Sequence, residues 1–183
     1  MNKASEIRLS GSGGQGLILA GIILANAAVI EKKRVTQTQS YGPESRGGYS
    51  RTDVIISDKE IYFPEATQFD ILLALTQEAC DKYIFDLKEK GILIVDTTFV
   101  KNISVMSENV YEVPFTNIVT EKLGNAITTN ICSLAFLAKV SGIVKEDSLK
   151  QAIESAVKKT FVDVNVKAMK LGFELAKDYR KQA

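Results

Sequence analysis

The stretch Gly11-Ser12-Gly13-Gly14-Gln15-Gly16 decides the fold. It follows a short apolar run, Ile7 and Leu9, and precedes an apolar-rich segment from Leu17 to Ile30. Glycines 11, 13 and 16 fit the G-x-G-x-x-G spacing, in the strand–turn–helix setting that gives the spacing meaning. Glycine permits a tight turn and a close approach of ligand to backbone. The free N–H groups and the positive dipole end of the following helix face the same place. An anion such as a phosphate suits that layout. The same glycines also suit close packing of strand on helix, and both readings stand at this point. Gln15 is surplus to packing; its amide can donate to a phosphate or bond a neighbouring loop.

Working outward, residues 6–10 read as the first strand and 17–31 as the first helix. The β-branched alternation of 34–39 reads as a second strand. A glycine-rich connection, 40–48, comes next. Residues 49–57 and 60–63 flank Asp58-Lys59 and are expected to pair as a β-hairpin closed by Pro64. The apolar runs 70–75 and 92–96 suit strands buried on both faces. Helical spacing covers 77–90, with Gly91 as its stop. Short strands are expected near 103–106 and 110–113. The remainder reads as helix over 116–123, 125–141, 146–159 and 165–181, with Asp147 or Ser148 as cap of the third. The expected architecture is one α/β domain over 1–183: three layers, α/β/α, with a mixed, mostly parallel sheet, an inserted β-hairpin and a helical C-terminal third.

Composition narrows the function. The 183 residues carry a net charge of +1, with 45% hydrophobic and 25% charged residues. No global field draws such a chain to nucleic acid or to an anionic membrane. The longest apolar stretch is shorter than the ~20 residues a membrane span needs. A cytoplasmic location follows as an expectation. There is no histidine, which removes the commonest general base and metal ligand. Cys80 and Cys132 stand far apart, so they cannot hold an iron–sulfur cluster or a structural zinc within one chain. Both fall in apolar helical patterns and are expected as buried thiols. Lys88-Glu89-Lys90, Lys158-Lys159 and Lys177 to Lys181 read as solvated helix faces. Phe161, Phe173 and Tyr179 are expected to line a helix interface, internal or with another subunit.

A nicotinamide site wants an acid at the end of the second strand. That strand ends Thr38-Gln39-Ser40, and Glu31 lies too early, at the helix end. The second unusual segment, Tyr41-Gly42-Pro43-Glu44-Ser45-Arg46-Gly47-Gly48, starts beside the glycine loop, at the sheet edge where α/β ligands sit. Arg46 offers a planar fork for carboxylate or phosphate, and Glu44 can pair with it or with another chain's arginine.

Together these two segments resemble the gamma subunit of 2-oxoacid:ferredoxin (acceptor) oxidoreductases, most closely the 2-oxoglutarate type. The likeness continues through Asp70-Ile-Leu-Leu-Ala-Leu-Thr-Gln-Glu-Ala, Gly91-Ile-Leu-Ile-Val-Asp, Leu123-Gly124-Asn125 with Asn130, and then Asn165, Ala168 and Gly172. The resemblance implies a complex that converts a 2-oxoacid and coenzyme A to acyl-CoA and carbon dioxide, passing electrons to ferredoxin or a similar acceptor. Thiamine diphosphate, magnesium and iron–sulfur clusters would belong to alpha, beta and delta-type (ferredoxin-like) subunits, with none bound by this chain alone. Gly11, Ser12, Gly13, Gly14, Gln15 and Gly16 would take a phosphate of coenzyme A or pack against the catalytic chains. Tyr41 to Gly48 would form the subunit contact, with Arg46 and Glu44 bonding across it. The rivals are a free-standing NAD or flavin oxidoreductase and a subunit of a pyruvate or indolepyruvate complex.

Overall fold

A computed structural model describes residues 4–41, 49–104 and 109–179. In chain order the elements are β1 (Ser5–Ser12), α1 (Leu17–Ile30), β2 (Arg34–Tyr41), β3 (Tyr49–Ser57), β4 (Phe69–Ala74), α2 (Gln77–Tyr83), β5 (Leu87–Asp96), β6 (Val110–Val113), α3 (Phe115–Leu123), α4 (Thr129–Ser141), α5 (Glu146–Ala156) and α6 (Lys159–Asp178). The six strands form one sheet in the order β2-β3-β1-β4-β5-β6. The pairs β1–β4, β4–β5 and β5–β6 are parallel. Only β3 runs against the rest, antiparallel to both β1 and β2. The mixed, mostly parallel sheet and the helical C-terminal third are as the sequence implies.

Strand parity divides the core. Ile7, Leu9, Val54, Ile56, Ile71, Leu73 and Ile94 join the large core with α1, α3, α4, α5 and α6. The alternate residues Leu72, Ala74, Leu93 and Val95 face α2 in a smaller core. Helix α4 is buried on every side from Thr129 to Ala138, as befits a helix with apolar residues all round. Gly172 of α6 lets that helix close onto it, for a Cβ there would lie 2.1 Å from the Cys132 carbonyl oxygen.

Four expectations change. Residues 60–63 form no strand, because β3 already has a partner on each edge; Tyr62 and Phe63 stand exposed instead. The hairpin is β2–β3. Second, the helix from 77 ends at Tyr83, and after a single 3₁₀ turn the chain enters β5 at Leu87. Gly91 is therefore no helix stop. It sits where β5 shifts register against β4, a bulge in which a Cβ would meet the Lys88 carbonyl at 2.8 Å. Lys88 leaves the solvated face assigned to it and pairs with Glu6 and Asp70. Burial alone would lower its pKa, but these hydrogen bonds and charges raise it. Third, α6 starts at Lys159, six residues earlier than the sequence implies, after Val157 and Lys158 turn extended. Fourth, neither Asp147 nor Ser148 caps α5; Lys145 occupies that position without a side-chain bond. The expected strand 103–106 lies partly outside the described residues, and Ile103 and Ser104 are not extended into a ladder.

Candidate functional site

The chain after β1 passes over one face of the sheet through α1 to β2, and the chain after β4 passes over the other through α2 to β5. The boundary between β1 and β4 is thus the topological switch point, and ligands of open α/β sheets bind outside the carboxyl ends of the strands there. The glycine loop occupies that place. Gly13 and Gly14 form its exposed turn. Gly14 has φ 91°, with open space where a Cβ would stand, and Gly16 has φ 72°. Both backbone conformations disfavour side chains.

The Gln15 side-chain oxygen and the Gly16 carbonyl are engaged within the fold. Gln15 Oε1 accepts from the Ser12 N–H at 2.8 Å, so its amide braces its own turn. Gly11 makes room for it; a Cβ at 11 would lie 2.2 Å from that oxygen. Asn130 Nδ2, from α4, donates to the Gly16 carbonyl at 2.9 Å. A Cβ at Gly16 would strike that nitrogen at 2.5 Å. Glycines 11 and 16 therefore have packing reasons, whereas Gly14 leaves backbone open to a visitor.

Beside the loop lies a cavity of about 390 Å³ lined by Gly14, Gln15, Leu75, Phe99, Thr116, Ala126, Ile127 and Thr129. Its size falls in the range of small-molecule sites. Among the described residues, no charged side chain lines it. Its far wall is fixed by Asp96, fully buried at the end of β5, which accepts from the Thr98 N–H at 3.0 Å and from the Thr116 N–H and hydroxyl at 3.1 and 2.5 Å. Phe99 and Ile127 are exposed around it. These wall residues come from segments far apart in sequence; the glycine loop marked Gly14 and Gln15, while nothing in the sequence singled out Phe99 or Thr116.

The second segment falls largely outside the described residues: nothing is seen of Gly42, Pro43, Glu44, Ser45, Arg46, Gly47 or Gly48, while the backbone of Tyr41 ends β2 opposite Ser50. Glu31 is held at the far end of α1, accepting from the Lys145 N–H at 2.5 Å and pairing with Lys33 at 3.2 Å, well away from the glycine loop. The two cysteines are buried. Burial lifts the Cys80 thiol to about 11, helped by Asp81, and the Cys132 thiol to about 12, helped by Asp96. Neither is a thiolate at neutral pH.

On the other side of β1 a cavity of about 240 Å³ holds Arg8, Arg51, Asp53 and Glu65. Arg8 bonds Asp53 through two parallel contacts of 2.6 Å and lies over the rings of Phe69 and Tyr83, at 3.9 and 4.5 Å.

A doubly wound sheet with a glycine loop at its switch point defines a class of α/β binding domains. Within that class, the chain belongs to the pyruvate ferredoxin/flavodoxin oxidoreductase family, whose sequence profile matches residues 6–175. It is 45% identical over 176 residues to the 2-oxoglutarate synthase subunit KorC of Methanocaldococcus jannaschii, covering 94% of each chain. The corresponding subunit of Methanothermobacter marburgensis is 39% identical over 188 residues, covering 96% of this chain and 98% of that one. The solved keto/oxoacid ferredoxin oxidoreductase gamma subunit of Geobacter sulfurreducens superposes with a TM-score of 0.89 at 44% identity, covering 97% of this chain and 99% of that one. The free-standing NAD or flavin enzyme gives way to membership of this family of complexes. Among the described residues, no helix is long and apolar enough to cross a membrane.

Proposed function

We propose that this chain is the gamma-type subunit of a 2-oxoglutarate synthase complex, and that its glycine-loop edge receives coenzyme A. The observation that carries the substrate class is the near-full-length likeness to two 2-oxoglutarate synthase subunits. What supports coenzyme A is the open Gly13–Gly14 backbone beside an uncharged cavity at the switch point.

In this reading the chain's own groups bind and orient. The Gly13–Gly14 backbone and the first amides of α1 receive a phosphate. Gln15 and Asn130 hold the loop in shape, and Phe99 and Ile127 exclude water from the cavity mouth. Thiamine diphosphate, magnesium and iron–sulfur clusters sit on alpha, beta and delta-type subunits, which perform decarboxylation and electron transfer. Tyr41 to Gly48 contacts those subunits through Glu44 and Arg46, and the complex works in the cytoplasm. The whole of 1–183 acts as one domain.

Placing a carboxylate beside the bound phosphate tests the loop. In the reconstituted complex Gly13→Asp should raise the KM for coenzyme A about tenfold or more, an effect of ~1.4 kcal/mol. An unchanged KM with intact assembly overturns the phosphate role.

A further inference from the structure

Strand β2 and helix α1 leave one continuous side of the molecule without cover. β2 is the outer strand of the sheet, and no described strand pairs with its far edge. From Val35 to Tyr41 it carries no charge and no proline, the devices that keep an exposed edge from pairing. Helix α1 above it has no charged residue and a single side-chain amide, Asn26, in 14 residues. A helix apolar all round belongs in an interior. Yet Ile22, Val29 and Ile30 are exposed, with Asn26 among them. Ala20, Ile23 and Ala27 are buried on one flank of α1, which packs against α5. Helical spacing places Ile22, Asn26 and Val29 on the opposite flank, over the open edge of β2.

We infer that this side joins a second copy of the chain about a two-fold axis, β2 against β2 and α1 against α1. Two strands would pair antiparallel at ~4.8 Å. Because α1 lies over both β2 and β3, the two helices would then stand about 10 Å apart, an ordinary helix-packing distance. The level of contact follows from Gly21, where a Cβ would lie 2.6 Å from Thr52, the register partner of Gln39. Four residues of helix advance about as far as two of strand, ~6 Å. Asn26 is therefore nearly level with Gln37, at the middle of β2, where the axis passes.

The position of that amide selects a second copy over an unrelated apolar partner. An amide both donates and accepts, so across a two-fold axis it complements itself. Ile22 then meets Val29 and Ile30 of the other copy. Arg34, the one charge on β2, lies at the strand's start. Antiparallel pairing sets the two arginines ~20 Å apart, beyond the reach of unscreened repulsion. The side measures roughly 25 by 20 Å, about 500 Å² per copy, so the total of ~1,000 Å² reaches the lower bound for a specific interface.

Asn26→Cys is the probe. Both native cysteines are buried, so a short bis-maleimide reads position 26 alone. The full chain should give a crosslinked product of twice its mass, whereas Lys122→Cys, exposed on α3, should not. Sedimentation of the unaltered chain should show the same dimer from micromolar concentrations upward. Asn26→Asp places two like charges at the axis and should weaken dimerisation about tenfold or more, less so in high salt. Position 26 is exposed, so these variants should keep the fold, and an unchanged thermal melt checks this. A monomer throughout, or equal crosslinking through Lys122→Cys, overturns the proposal. So does a crosslink from position 26 to a different subunit in the assembled complex.

Discussion

Strand β1 and the loop that follows it border two cavities that treat their polar groups in opposite ways. Arg8 and Asp53 lie in the first, buried, ion-paired in a bidentate fork and covered by two aromatic rings. The strand's other end leads into the glycine loop, whose cavity has no charged side chain among the described residues but leaves backbone exposed at Gly13 and Gly14. The first concentrates the more conspicuous chemistry. Yet Arg8 and Asp53 satisfy each other and clamp β1 to β3, where they form a register pair. At the glycine loop, readiness to bind lies in exposed backbone rather than in an ion pair.

The largest expected effect comes from breaking the clamp. Asp53→Ala leaves a buried guanidinium without its partner and should cost ~3–5 kcal/mol, seen as a large fall in the thermal midpoint. Replacing both members together, Arg8→Met with Asp53→Leu, should cost far less. Equal losses in the single and double variants would show that Arg8 serves something beyond the clamp.

Smaller effects sharpen the glycine loop. Gly16→Ala meets both a positive φ and the Asn130 amide 2.5 Å away, and should cost ~1–3 kcal/mol in denaturant unfolding. Gly14→Ala has the positive φ but no clash, so ~1–2 kcal/mol is expected. The two variants thus separate strain from packing: a Gly14→Ala loss as great as that of Gly16→Ala would mean that the loop packs against something at Gly14.

The smallest effect concerns Glu31, which ties the end of α1 to the start of α5. Burial alone would raise its pKa, but bonds to the Lys145 N–H, Lys33 and Ser148 bring it below the ordinary value. Its folded pKa being lower, the stability it adds is present above the unfolded value of ~4.3 and is lost as pH falls through the folded one. Glu31→Gln should therefore be less stable than the native chain at neutral pH, and the difference should vanish in acid. A constant difference across that range would contradict the linkage.

Much of this was legible in sequence, for identifiable reasons. The unit β1–loop–α1 carries a local spacing that fixes strand, turn and helix together. The runs at 70–75 and 92–96 read correctly because strands buried on both faces need no alternation. Residues 60–63 failed because pairing is non-local: whether β3 has a free edge depends on β1, some forty residues earlier. Leu87-Lys88-Glu89-Lys90 fits a helical and an extended period equally over so few residues, and its salt bridge to Glu6 and Asp70 exists only in the folded sheet. The start of α6 hid behind Thr160, Val162 and Val164, β-branched residues with weak helix propensity that tertiary packing overrides. The cavity walls were hidden for the same reason: Leu75, Phe99 and Ile127 meet only after folding, and none carries a signature alone.

Hydrogen–deuterium exchange on the assembled complex, with and without coenzyme A, tests the central claim most directly. Coenzyme A should slow exchange at the amides of residues 13–19 and 126–131, and leave β2 and β3 around Thr38 and Asp53 unchanged. Protection confined to the Arg8–Asp53 side, or found only on the partner subunits, would contradict the assignment of the glycine loop.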